Sequence, residues 1–292
     1  MDNARGAALM TVAMLGFAVE DMCVKLMSGL LPTWQIILFL SLGGAVIFAA
    51  LLLRQGRGLI TAEMFVLPLH LRNLAEVLGS ICFVTALSMA PLSSVSAILQ
   101  STPLLVTSGA ALFLGEQVGW RRWSAVVVGF FGVMLIVRPG TQAFDPAALF
   151  ALASVVALAV RELATRRVPA TVSSLQVSFF AFLVLVPTSG ILALITGAPY
   201  VAPPPETWLL IGLAMVLGVA AYYAVVAAMR VGEVAFVTPF RYSRLVFALV
   251  LGGVVFAERP DLPMLAGATL IVGSGIFTFW RERQVRHMRR AP

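Results

Sequence analysis

Two stretches of the chain read as variants of one. Residues 86–117 run ALSMAPLSSVSAILQSTPLLVTSGAALFLGEQ, and residues 227–260 run AAMRVGEVAFVTPFRYSRLVFALVLGGVVFAERP. With Glu116 set on Glu258, Ala86 falls on Ala228 and Ser101 on Ser243, and nine positions past the glutamates Ala125 falls on Gly267. Each stretch is followed by one short apolar segment that closes its half. The chain is therefore read as a duplication of five membrane spans. Five is odd, so the second copy enters the membrane upside down and carries Glu116 and Glu258 to opposite faces. Inverted repeats of this kind are built around a substrate site near the bilayer midplane, where the repeats meet.

The composition requires a bilayer. Sixty per cent of the 292 residues are hydrophobic and 11% are charged, against roughly 45–50% apolar and about 25% charged in soluble domains. A span needs about 20 residues, and hydropathy with Pro and Gly breakers divides the chain into ten. They cover about 6–28, 34–53, 70–89, 92–115, 120–137, 146–166, 172–196, 206–229, 234–256 and 261–280. The fold class expected is an all-α membrane protein of ten transmembrane helices in two inverted five-helix repeats, 1–140 and 141–280, followed by a basic cytoplasmic tail at 281–292. The first apolar run continues into Glu20, Asp21 and Lys25 without a cleavage site, so it reads as a retained helix and not a signal peptide.

Orientation follows from the basic residues. With the N-terminus in the cytoplasm, Arg138 and Arg259 fall on the far side, and Lys25, Arg241 and Arg244 lie within spans. All the other Lys and Arg residues are cytoplasmic. Trp34, Trp120, Trp123, Trp208 and Trp280 all sit at span ends, as in an interfacial aromatic belt. The localisation expected is a bacterial-type inner membrane with both termini cytoplasmic. The net charge of +7 lies in short loops and the tail, which argues for contact with anionic lipid headgroups and against nucleic acid. Cys23 and Cys82 are isolated in apolar stretches, and no metal-ligand or redox spacing exists. No cofactor or metal is expected.

The pattern resembles the drug/metabolite transporter superfamily, in its branch with two EamA-type domains. The likeness rests on Leu87–Glu116, with Pro103 and the closing Gly115-Glu116, and on Arg230–Pro260, with Pro239-Phe240, Tyr242 and Glu258. It extends over nearly the whole chain. It implies ten helices, cytoplasmic termini, alternating access and a central cavity lined by the first, third, fourth, sixth, eighth and ninth spans. Members of the superfamily carry amino acids, vitamins such as riboflavin, nucleotide-like compounds including S-adenosylmethionine, and drugs. The fourth span has Ala97 where the ninth has Pro239, so the two spans break differently.

A charge at the bilayer centre costs about 2.5–3.5 kcal/mol on insertion scales, so intramembrane charges point inward. Arg241 and Arg244 share a helix face beyond Pro239 and suit capture of a bidentate acid group. An ion pair with Glu20 or Asp21 is the structural alternative, and the two roles can alternate during transport. In the first span Asp21 and Lys25 are spaced to pair with each other, and Glu20 points about 100° away and needs another partner. Glu20, Asp21 and Lys25 are the coupling or gating candidates, with H+ as the coupling ion considered. Arg72, Asn73 and Glu76 lie near the cytoplasmic end of the third span, either as a local salt bridge or with Glu76 and Asn73 lining the cavity. Arg161 is a further candidate that can also snorkel outward. Gln100 and the Tyr222-Tyr223 pair complete the set expected to bind substrate, with Tyr242. Adjacent helical positions differ by about 100°, so one of the two tyrosines should face the cavity.

The function expected is a secondary transporter of a small polar metabolite, zwitterionic or anionic, such as an amino acid. The alternative is a vitamin or nucleotide-like metabolite of the riboflavin or S-adenosylmethionine type. A membrane-embedded enzyme is disfavoured, because the chain has only His70 and His287 and none of the HExxH, GxSxG or phosphate-loop motifs. A passive channel is disfavoured because no filter or single-sign charge ring is present.

Overall fold

The computed structural model describes residues 2–61, 64–169 and 171–290, the side chains of 234, 235 and 281–290 excepted. The loop acid Glu63, the basic side chains of the tail and residues 291–292 therefore lie outside the described residues. The elements are α1 (Asn3–Ser28), α2 (Thr33–Arg54), α3 (Leu67–Met89), α4 (Leu92–Leu99), α5 (Thr102–Phe113), α6 (Trp120–Val137), α7 (Ala147–Thr165), α8 (Ser174–Thr196), α9 (Pro205–Val231), α10 (Val234–Val237), a 3-10 turn (Thr238–Tyr242), α11 (Ser243–Phe256) and α12 (Leu262–Arg290). Among the described residues, ten stretches are long and apolar enough to cross a membrane; α4 with α5 makes the fourth, and the 3-10 turn with α11 the ninth. The chain is a ten-span, multi-pass membrane protein of two inverted repeats.

The two broken spans are broken at nearly equivalent points. Pro103 cannot donate to the Leu99 carbonyl, and α4 ends at Leu99 with α5 starting at Thr102. In the ninth span Pro239 lies inside the 3-10 turn, and α11 starts at Ser243, the equivalent of Ser101. Ala97 and Pro239 differ, yet each span gives way just before its shared serine.

The main packing runs between the halves. α1 lies along α9 and α3 along α7; α2 pairs with α8, α6 with α12, and α4 with α11. Exchanging the repeats turns the first pair into the second and the α2–α8 and α6–α12 pairs into themselves, as a two-fold axis requires, whereas the α4–α11 contact is a point where the halves differ. Neither half buries its apolar faces alone, so the repeats are interleaved. Small residues allow the close crossings: a Cβ on Gly132 or on Gly267 would meet the other's carbonyl across α6 and α12, and Gly16 of α1 faces Ala221 of α9. Such residues let helix backbones approach where lipid offers no hydrophobic drive for association.

Trp120, Trp123, Trp208 and Trp280 are exposed at or near the ends of their spans, whereas Trp34 is buried and its Nε1 donates to the Ala198 carbonyl at 3.2 Å. Four tryptophans fit the belt, and the fifth ties α2 to the loop after α8.

Candidate functional site

The deepest charged group sits where α1, α9 and α11 meet. Glu20 packs on Gly218, the middle residue of α9, where a Cβ would come within 2.8 Å of the Glu20 Oε1. A glycine there makes room for a carboxylate. Next to it, Asp21 is 3% exposed in its side chain and accepts from Arg244 Nε at 3.0 Å and Nη2 at 2.7 Å. The Arg244 guanidinium lies over the rings of Phe17 and Phe83, 5.3 and 5.9 Å from their centroids, the arrangement of a cation between aromatic faces. No ion pair or hydrogen bond to the Glu20 carboxylate is found among the described residues.

A second charged cluster lies toward the face that carries the termini. Glu76 of α3 receives Arg72 Nη2 at 2.9 Å and Arg161 Nη1 at 3.1 Å, so one carboxylate serves two arginines from different repeats. Arg72 Nη1 donates to Asn73 Oδ1 at 3.1 Å, while Arg72 Nε and Asn73 Nδ2 are buried without a hydrogen-bond partner. Tyr222 of α9 is half-buried and meets Phe48 edge-on. Arg241 lies 3.9 Å from Glu162 of α7. The Gln100 amide donates to the Arg241 carbonyl at 3.4 Å, linking the breaks of the fourth and ninth spans.

Several expectations need correction. Arg241 and Arg244 do not converge on one acid group: Arg241 reaches the first span of the second repeat, and Arg244 the first span of the first. Lys25 does not pair with Asp21, whose oxygens Arg244 occupies; its amine donates to the carbonyls of Leu87 at 3.1 Å and Ala90 at 2.5 Å. Tyr242 is 4% exposed, with its hydroxyl packed against Gly275 of α12 and buried without a hydrogen-bond partner. Tyr223 is 72% exposed on the stripe of α9 that also carries Leu209, Leu213 and Val216, the lipid side; Tyr222 is the tyrosine that turns inward. Arg161 does not snorkel but turns to Glu76. Phe17 and Phe83 were not anticipated, because an aromatic in an apolar helix gives no sign of its neighbour.

The EamA-like transporter family matches residues 4–138 and 145–280. The chain belongs to that family. Within it, the chain is 23% identical to an S-adenosylmethionine uptake transporter of Rickettsia felis over 96% of this chain and 94% of that one. It is 29% identical to a riboflavin transporter of Vibrio cholerae, over 98% and 96%. A solved crystal structure superposes with a TM-score of 0.63 at 21% identity, covering 94% of this chain and 98% of the other, and shares the fold. Each charged cluster joins the two matched segments, Asp21 to Arg244 in one and Glu76 to Arg161 in the other.

Proposed function

We propose that the chain is a secondary transporter that moves a small zwitterionic metabolite through the repeat interface by alternating access. The observation that carries this reading is the Arg244–Asp21 pair flanked by Phe17 and Phe83, beside Glu20 at mid-span. An α-amino acid head group matches such a pair from both sides, its carboxylate taking the guanidinium and its ammonium the Asp21 carboxylate. The aromatic rings suit a planar substituent. A site with one arginine and two carboxylates favours a substrate with an additional positive charge, and S-adenosylmethionine, with its sulfonium and adenine, fits that description better than a free amino acid or neutral riboflavin. The names of the relatives support a nucleotide-like or vitamin substrate and lend none to a free amino acid.

On this reading the repeats divide at 1–140 and 141–280. The face carrying the termini is cytoplasmic, the membrane is the bacterial inner membrane, and the coupling ion is H+ carried by Glu20. Glu76, Asn73, Arg161 and Tyr222 line the cytoplasmic approach. The test is uptake into proteoliposomes of labelled S-adenosylmethionine, riboflavin and a set of amino acids, with unlabelled compound inside for counterflow. Saturable S-adenosylmethionine exchange that collapses in Arg244→Ala supports the reading. Riboflavin exchange with no effect of Arg244→Ala would overturn the substrate assignment.

A further inference from the structure

In the register that sets Glu116 on Glu258, one set of equivalent residues is used differently in the two repeats. On the face opposite the termini, the turn between α3 and α4 is gripped from both sides by opposite charges. Lys25 of α1 takes the last carbonyls of α3, those of Leu87 and Ala90. Glu258, at the end of α11, takes the first amides of α4, those of Leu92 at 2.6 Å and Ser93 at 3.0 Å, together with the Ser93 hydroxyl at 2.6 Å. A cation on helix-terminal carbonyls and an anion on helix-initial amides are each the favourable pairing. The Lys25 amine also lies 5.4 Å from the centroid of the Phe256 ring.

In the register that sets Glu116 on Glu258, Lys25 falls on Arg167 and the 87–93 turn on residues 229–235. The supporting backbone is the same in both halves. Glu116 and Glu258 each follow a left-handed residue, Gly115 at φ 68° and Ala257 at φ 53°, and their amides bond equivalent carbonyls, Ala110 and Gly252. The side chains are used differently. Glu116 pairs with Arg166 at 2.8 Å, and Arg167 donates to the Phe113 carbonyl at 2.8 Å. The 231–233 turn is held by the start of α1 instead: Asp2 N donates to the Val231 carbonyl at 3.1 Å, and Glu233 N to Asn3 Oδ1 at 2.8 Å. Conversely, a cavity of about 300 Å³ separates the 90–91 turn from Asp145 at the start of α7.

We infer that Lys25 with Glu258, and Arg167 with Glu116, are the two alternating gates of the transporter. The structure has the Lys25–Glu258 clamp closed on its turn and the equivalent clamp released. In the other state the roles exchange: Glu116 and Arg167 leave Arg166 and Phe113, close on the 229–235 turn, and the outer clamp opens. The inference rests on the transport reading, but its test does not need the substrate.

In a Cys23→Ala, Cys82→Ala background, the pairs Ser93→Cys with Glu258→Cys and Ala235→Cys with Glu116→Cys are treated in native membranes with a short bifunctional thiol reagent, and crosslinking is read by gel mobility after cleavage of the chain between the paired positions. Both pairs are expected to crosslink. Conversion of the first pair alone overturns the inference, because the second clamp would then never close. Where a pair fails to reach the membrane, a cysteine at Phe17 reports instead. Its labelling by an impermeant thiol reagent from outside the cell is expected to rise with Glu258→Gln and fall with Glu116→Gln, and changes in the same direction would overturn the exchange. A protein that passes these tests and carries none of the compounds tried would sink the substrate assignment and leave the gates standing.

Discussion

Arg244 holds Asp21 with two of its nitrogens across the boundary between the repeats, a polar link between the ninth span and the first, which also pack against each other. Asp21 is nearly inaccessible, and Arg244 is 20% exposed in its side chain. Removing one partner strands the other. Such losses run to about 3–5 kcal/mol for a fully buried pair, and the accessible edge of Arg244 places this one toward the lower figure. Asp21→Asn and Arg244→Gln are each expected to lower the thermal unfolding midpoint in detergent. The double variant should lose less than the two losses summed. Strict additivity would show that the two residues are not coupled.

Glu76 is the counter-charge of both Arg72 and Arg161. Neutralising it leaves two cations facing each other, whereas neutralising either arginine leaves a balanced pair. Glu76→Gln is therefore expected to destabilise more than Arg72→Gln or Arg161→Gln. Equal midpoints for all three would mean that the cluster is solvated and not paired.

Arg138 and Asp261 form a bridge on the face opposite the termini, outside the spans. Hydrogen bonding to Arg138 holds the Asp261 carboxyl below its ordinary value. A depressed carboxyl contributes stability at pH above its unfolded value and loses it as pH falls through the folded one. The pair is exposed, so the contribution is about 0.2–1 kcal/mol. A small fall in unfolding midpoint on acidification through the carboxylate range is expected in the native chain, and a smaller one in Arg138→Gln. An identical fall in both would show that the bridge contributes nothing.

Gly132 and Gly267 let α6 and α12 touch backbone to backbone. Gly132→Leu meets the Gly267 carbonyl first, a backbone atom that cannot turn aside as the neighbouring Ile271 side chain can. It is expected to cut the yield of folded protein and lower the midpoint, while a leucine at Gly190 of α8, which faces open space, changes neither. Equal yields would mean that the helices separate without cost.

The spans, the inversion and the family were legible because they rest on bulk quantities: apolar length, the sidedness of arginine, and a repeat anchored on Glu116 and Glu258. The site was legible only in outline. The pairing of Arg244 with one of the two acids of the first span was legible from their positions within the spans, but not which acid, and the Lys25 that spacing also offered to Asp21 goes instead to the carbonyls of Leu87 and Ala90. Tyr222 and Tyr223 differ by one position, and only the packing of α9 against α1 tells which is inward. The use of Glu258 as a cap was hidden because the amides it binds belong to α4, in the other repeat.

Glu20 offers the last test. Its neighbour Asp21 is committed to Arg244, while Glu20 faces Gly218 at mid-span with no ion pair or hydrogen bond among the described residues. A carboxyl so placed can take up and release a proton without breaking a bridge, and it does so one residue from the pair proposed to hold the substrate. Glu20→Gln is expected to abolish accumulation driven by a pH gradient in proteoliposomes while leaving counterflow exchange near its native rate, since exchange needs the gates and the site but no net proton movement. Loss of both would assign Glu20 to binding. Accumulation at the native level in Glu20→Gln would remove it from coupling, and the proton, if one is carried, would then have to ride on Asp21 as Arg244 releases it.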